Sequence, residues 1–149
     1  MSKANRPLIF LMTTVVAADA SRDAEGRARP SSAKMRRMDG ILARRLPQST
    51  PDERWQAVGR ALKGMPDISD GTALLKLVEK QARRLNTQLE GNAGRARRVL
   101  QYLVQIADAD DEITPQELNV IRMVAAAMKV TDALSVREDE WGETQLRVA

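Results

Sequence analysis

The stretch LQYLVQIADADDEITPQELNVIRMVAAAMKV, residues 100–130, contains two helical patterns separated by an acidic loop. Apolar residues recur every three or four positions on both sides of the loop, which is the spacing of one face of an α-helix. Residues 114–117 (TPQE) form a capping box, in which a threonine and a glutamate each accept a backbone N–H at the start of a helix. The stretch therefore predicts a helical hairpin, with one helix from about Ala93 to Asp108 and a second beginning after Thr114.

The same spacing of apolar residues continues through the rest of the chain and predicts further helices. These helices run from Pro7 to about Ala20, from Ala33 to Leu46, from a capping box at residues 50–53 to Gly64, and from Ser69 or Asp70 to Gly91. A last short helix is predicted around Val136, Trp141 and Leu146. Because only 3% of the residues are aromatic, the core must be mainly aliphatic, which favours packed helices over sheets. The sequence predicts an all-α, single-domain bundle of six or seven helices over residues 1–149, without strands and with the helix at 93–108 buried most deeply.

An internal pseudo-repeat relates two pairs of helices, residues 7–46 and residues 93–130. Aligning Asp19 with Asp110 places an aspartate at the end of the first helix of each pair, facing the start of the second helix. The loop of the first copy is the longer one. Residues 21–32 (SRDAEGRARPSS) lack apolar periodicity and contain glycine and proline, so we predict that they form the most mobile internal segment.

The apolar segment Leu8–Ala18 allows two interpretations. It follows two basic residues and precedes an Ala-Asp-Ala sequence, so residues 1–20 resemble a secretory leader with its cleavage site. The alternative, which we expect, is that the segment is a buried first helix of the folded domain. The apolar run is too short to span a bilayer, so no transmembrane segment is predicted.

The composition excludes several kinds of site. The chain contains no cysteine and no histidine, so it has no thiolate or imidazole metal ligand and no histidine general base. We expect no zinc, haem or nucleotide cofactor, and the available oxygen ligands suit hard cations such as Ca²⁺ or Mg²⁺. Paired carboxylates without a visible partner group do not indicate catalysis, so no enzymatic activity is predicted.

Five carboxylates lie close together in the loop of the hairpin: Asp108, Asp110, Asp111, Glu112 and Glu117. Such a density is self-repulsive unless cations compensate for it, and a short acidic loop can bind Ca²⁺ or Mg²⁺. If an ion binds, we expect Asp110 and Glu117 to be indispensable, with a small contribution from Asp19. The alternatives are that the cluster attracts ions only weakly, or that the acidic residues only cap the following helix. The capping box at residues 50–53 has no acidic cluster before it, so a capping box by itself does not indicate an ion.

Positive charge is concentrated in the first half of the chain. Residues 1–64 carry 13 basic and 6 acidic side chains, whereas residues 65–149 carry 11 and 14. A group of arginines lies off the apolar face of the second predicted helix: Arg36, Arg37, Arg44 and Arg45. They indicate either an ordinary solvated face or a docking surface for an anionic membrane or an acidic protein. The scarcity of aromatic residues for stacking on bases argues against sequence-specific nucleic-acid binding.

Residues 100–130 resemble the TerB-like family, named for tellurite resistance protein B. The family motif is an apolar helix that ends in Ala-x-Asp-Gly, a short loop with a valine or isoleucine, and a glutamate that opens the next helix. Asp110, Ile113 and Glu117 occupy the corresponding positions of this chain, and Asp111 stands where the motif has glycine. The resemblance implies a seven-helix single-domain fold and metal binding through the acidic loops.

The first copy of the repeat departs further from the motif, since Ala20 replaces the glycine and Lys34 replaces the glutamate, although Asp19 is present. The resemblance also implies a non-enzymatic scaffold or sensor in bacterial resistance to tellurite or chemical stress. It implies a protein partner in a membrane-associated complex, with the protein in the cytoplasm or peripheral to the inner membrane. The family is similar, too, to the N-terminal region of membrane-anchored J-domain co-chaperones.

Overall fold

Six α-helices form most of the chain in the computed structural model, which describes residues 2–18, 21–22, 28–29, 31–66 and 71–149. They are α1 (Arg6–Ala18), α2 (Ser32–Arg45), α3 (Pro51–Lys63), α4 (Gly71–Gln88), α5 (Ala93–Ala107) and α6 (Pro115–Ala127). Short 3₁₀ turns precede α1 (Lys3–Asn5) and follow α6 (Thr131–Ala133). The predicted helical bundle is confirmed. Among the described residues, no helix combines the length and the apolar character needed to cross a bilayer.

Side-chain caps set the starts of α3 and α6. The hydroxyls of Thr50 and Thr114 accept the backbone N–H of Glu53 and Glu117, and each glutamate carboxylate accepts the threonine N–H in return. Both predicted capping boxes are therefore present, each followed by a proline in the first helical turn, where its missing N–H costs nothing. The predicted caps of α4, at residues 69–70, lie outside the described residues.

α1 is the central helix of the bundle. Every residue from Pro7 to Ala18 is buried, and α1 packs against all five other helices. The expectation of a buried first helix is confirmed, but the prediction that residues 93–108 form the most buried helix is wrong. α5 keeps charged side chains in solvent, whereas α1 has none after Arg6 and is apolar on every side. Two threonine hydroxyls in α1 each donate to the carbonyl four residues earlier, at 2.7 Å, which makes their burial tolerable.

The segment between α1 and α2 contains a short antiparallel pair, β1 (Ser21–Arg22) and β2 (Ala28–Arg29). The expectation of a chain without strands is wrong here. The backbone N–H and C=O groups of a long segment need hydrogen-bond partners, and in β1 and β2 the two short strands supply them to each other. Most other residues of the segment lie outside the described ranges, so its predicted mobility stays a prediction. α1 contacts α2, and α5 contacts α6, but their relation by a pseudo-repeat also stays a prediction.

A β-hairpin follows α6 where a last short helix was predicted, so that prediction is wrong. β3 (Leu134–Glu138) pairs antiparallel with β4 (Thr144–Val148), and Val136 lies opposite Leu146 across the two strands. Apolar residues alternate along both strands and pack one face of the hairpin against the core. Trp141 lies in the turn and is 83% exposed, and the glycine after it has a φ of 76°, which permits the tight reversal.

One buried arginine ties α2 to α3. Arg54 is 8% exposed, and its Nε lies 2.8 Å from Oδ1 of Asp39. The same guanidinium donates to the carbonyl and to the hydroxyl of Ser49, at 3.0 and 3.2 Å. These contacts hold the short connection between the two helices against the start of α3.

Candidate functional site

The acidic loop between α5 and α6 places its carboxylates in different environments. The side chains of Asp108, Asp111 and Glu112 belong to exposed residues. Asp110 is 26% exposed, and its Oδ1 accepts the backbone N–H of Glu112 at 3.1 Å. Glu117, in the first turn of α6, is completely buried. Of the predicted ligands in this loop, only Glu117 is therefore buried, and Asp110 is partly buried.

The carboxylate of Glu117 serves two roles through one oxygen atom. Its Oε1 accepts the backbone N–H of Thr114 at 3.0 Å, which completes the capping box, and lies 3.2 Å from the Thr114 hydroxyl. The same Oε1 lies 2.8 Å from Nζ of Lys34. A residue that caps a helix locally is thus also one half of a long-range ion pair.

Lys34 reaches the acidic loop from the first turn of α2 and is completely buried. Its ammonium lies 2.8 Å from Oε1 of Glu117 and 3.4 Å from Oδ1 of Asp110. It also donates to the backbone carbonyl of Glu112 at 3.2 Å. An ammonium carries three N–H donors and no acceptor, so a cluster of three oxygens suits it. The start of α2 is therefore anchored to the α5–α6 hairpin through one side chain.

The ammonium of Lys34 lies between the two carboxylates that the sequence identified as the indispensable ligands of an ion. Within the described residues, no group of three or more acidic, histidine or cysteine side chains is arranged to hold a metal ion. Asp19 lies outside those residues. Ca²⁺ or Mg²⁺ binding by this loop stays a hypothesis, and Lys34 supplies an alternative source of positive charge.

The backbone at Asp111 explains the glycine of the family motif. Asp111 has a φ of 59°, in the left-handed region that glycine adopts most easily. Aspartate is one of the few other residues found there regularly, because its short polar side chain tolerates the conformation. Asp111 therefore holds a backbone conformation that glycine would adopt with less strain.

The four arginines predicted as a docking surface separate into two groups. Arg36, Arg37 and Arg44 line one shallow groove of about 420 Å³ on α2, which Ala109 of the acidic loop completes. Arg45 instead lies over the ring of a tyrosine in α5, 5.8 Å from its centroid, in a cation–π contact. In the part of the chain that the structure describes, none of the three groove arginines forms an ion pair. We call the groove lined by Arg36, Arg37 and Arg44 the arginine groove.

Comparison with known proteins identifies a family for this chain. Residues 5–139 match the family model described as tellurite resistance protein TerB. This match covers all six helices and reaches into the hairpin after α6. No curated protein and no solved structure matches the chain.

Proposed function

This chain belongs to the TerB family, and we propose that it is a non-enzymatic scaffold or sensor domain of a bacterial response to tellurite or chemical stress. We further propose that it acts through a protein partner, in the cytoplasm or at the inner membrane. In this protein the cation of the acidic loop is internal: Lys34 takes the place of a bound divalent ion. The observation that carries the proposal is the 2.8 Å ion pair between the Lys34 ammonium and the buried Glu117.

The position of the Lys34 ammonium indicates that it replaces a divalent ion and does not bind beside one. Ca²⁺ binds carboxylate and carbonyl oxygens at 2.3–2.6 Å and needs six or more of them. Lys34 already contacts oxygens of Asp110, Glu112 and Glu117. A divalent ion among the same oxygens would lie against a buried positive charge, which is strongly unfavourable in a medium of low dielectric constant.

The environment of Glu117 also supports a non-enzymatic role. A general base must come within hydrogen-bond reach of a proton on its substrate. Glu117 is completely buried and is engaged by both Lys34 and Thr114. The buried pair is better suited to fixing the relative positions of α2, α5 and α6, which is what a scaffold requires.

The test compares two variants of Lys34 in thermal unfolding with and without Ca²⁺, Mg²⁺ or Mn²⁺. Lys34→Glu restores the glutamate of the family motif and places a third carboxylate beside Asp110 and Glu117, so an added ion should stabilise it. For a single site the gain is about 2.7 kcal/mol at a hundredfold excess over Kd. Lys34→Met removes the ammonium without adding a ligand and is the matched control.

We expect the wild-type melting temperature to be unaffected by the three ions, and Lys34→Glu to be destabilised and then rescued by at least one of them. If an ion raises the melting temperature of the wild-type protein and Asp110→Asn abolishes that rise, the proposal that Lys34 replaces a divalent ion is wrong. The stress role is tested separately by deleting the gene in its host. Unchanged tolerance to both tellurite and an oxidant would contradict that role.

The arginine groove favours a second candidate function, a basic adaptor that docks on an anionic membrane surface or an acidic protein. Arg36, Arg37 and Arg44 line one groove, and exposed cations without ion-pair partners attract anionic surfaces most strongly at low salt. The test is co-sedimentation with phosphatidylglycerol vesicles, or with an acidic partner, at increasing salt. Changing the three arginines to glutamine should weaken binding, whereas the same change at the exposed Arg95, Arg97 and Arg98 of α5 should not. Equal losses in the two triple variants would indicate nonspecific attraction and refute the adaptor.

A further inference from the structure

A cavity of about 850 Å³ lies between the start of α1 and residues of α3 and α4. None of the acidic-loop residues or the arginine-groove residues lines it. Its size is within the range of small-molecule sites, which is roughly 300–1,000 Å³. The cavity is therefore large enough to be a separate ligand site.

The floor of the cavity is apolar and comes from two helices. Ile9 and Phe10 of α1 are 3% and 8% exposed and form part of the buried core beneath it. Ala57 and Ala61 of α3 line the side, one helical turn apart. Because alanine side chains are short, the space between α1 and α3 stays open at this level. An apolar tail of a ligand would be shielded from water here.

The rim of the cavity is basic. Four exposed cations line it, and each comes from a different element: Lys3 of the first 3₁₀ turn, Arg6 of α1, Arg60 of α3 and Arg84 of α4. No acidic side chain lines the cavity among the described residues, and none of the four cations forms an ion pair there.

Not every arginine of α4 lacks an ion pair. Arg83 pairs with Glu79 at 2.6 Å, whereas Arg84, one position later, lines the cavity without such a pair in the described part of the chain. Polar side chains of α4 complete the rim, among them Gln81 and Gln88. A positive rim above an apolar floor is complementary to a molecule that joins an anionic head to an apolar tail.

We propose that this cavity binds a single-chain anionic amphiphile, with its carboxylate or phosphate head between Arg6, Arg60 and Arg84 and its tail over Ile9 and Phe10. Two features of the ligand are required together. The charged head of the ligand is drawn to the rim because, within the described ranges of the chain, the cations there form no ion pair, and the tail gains free energy by leaving water.

The experiment is calorimetric titration of the full chain with decanoate, kept below the concentration at which it forms micelles. Decanamide supplies the tail without the charge, and acetate supplies the charge without the tail. The variant Arg60→Gln/Arg84→Gln removes two rim charges, and Arg97→Gln/Arg98→Gln on α5 removes two exposed charges elsewhere. Both double variants change exposed residues, so both should fold, which circular dichroism verifies.

We expect one decanoate to bind per chain with a Kd below about 1 mM, and decanamide and acetate to bind much more weakly. Each exposed charge contact contributes modestly to the binding free energy, so Arg60→Gln/Arg84→Gln should weaken decanoate binding by roughly tenfold. Arg97→Gln/Arg98→Gln should bind decanoate almost as the wild type does. Ala61→Leu narrows the apolar part of the cavity from its side, and it should weaken the binding of decanoate without affecting the binding of acetate.

Three outcomes would overturn the proposal. The first is decanoate binding that is absent or that both double variants weaken equally. The second is decanamide binding as tightly as decanoate. The third is binding of phosphatidylglycerol vesicles through Arg60 and Arg84 with no binding of monomeric decanoate, which would make the rim a membrane contact instead of a cavity site.

Discussion

Replacing Lys34 by methionine should cost the domain a large part of its stability. The change keeps the length and most of the volume of the side chain but removes its charge. Lys34 and Glu117 are both completely buried, and their charged atoms are 2.8 Å apart. Removing one partner of such a pair leaves the other charge buried without compensation, which costs about 3–5 kcal/mol. At about 3 °C per kcal/mol for a chain of this length, the melting temperature should fall by roughly 10–15 °C.

A double-mutant cycle separates the ion pair from the packing of Lys34. Glu117→Gln keeps a carbonyl that can complete the capping box but removes the negative charge. In Lys34→Met/Glu117→Gln neither charge remains, so the loss of stability should be smaller than the sum of the two single losses by more than about 1 kcal/mol. Urea unfolding of the four proteins measures this coupling, and Lys76→Met on the exposed side of α4 is the control for a surface lysine.

The reasoning is refuted if Lys34→Met costs less than about 1 kcal/mol, which is within the ordinary range for a surface change. It is refuted equally if the losses in the two single variants simply add. Additive losses would mean that Lys34 contributes through its alkyl chain, and that Glu117 acts through the capping box alone. The Lys76→Met control should stay within about 0.5 kcal/mol of the wild type.

Three further predictions follow from individual contacts. Asp111→Gly should stabilise the domain by about 0.5–1 kcal/mol, because glycine adopts the left-handed backbone at this position without strain, and an unchanged or lower melting temperature would count against it. Arg54→Met should destabilise the domain by about 1–3 kcal/mol in urea unfolding, because it leaves the Asp39 carboxylate without its ion pair at 2.8 Å, and a loss within experimental error would contradict a structural role for this pair. The hydrogen bond from the backbone N–H of Thr50 lowers the pKa of Glu53, so the stability that this contact adds is present above the unfolded pKa and is lost as pH falls through the lower folded pKa. The stability difference between the wild type and Glu53→Gln should accordingly disappear in acid, and a difference that persists there would show that ionisation is not its source.

The helices could be predicted from the sequence because their signals are local. The capping boxes at Thr50 and Thr114 lie within four residues each, and the apolar spacing of each helix extends over a few turns. The last helix was predicted wrongly, because Val136, Trp141 and Leu146 form too short a pattern to distinguish a helix from an alternating strand. The contacts of β4 with α5 decide this region, and they depend on residues distant in sequence.

The sequence by itself determined that an acidic loop joins two helices, that the second helix begins with a capping box, and that Lys34 stands at the glutamate position of the first copy of the repeat. It did not reveal what the lysine does there. Lys34 and Glu117 are 83 positions apart in the sequence, and only the packing of α2 against the α5–α6 hairpin brings their charges together. The same holds for the basic cavity, whose four cations come from four elements that the tertiary structure places side by side. Local backbone preferences are encoded in neighbouring residues, whereas the sign and the partner of a buried charge depend on which helices pack together in three dimensions.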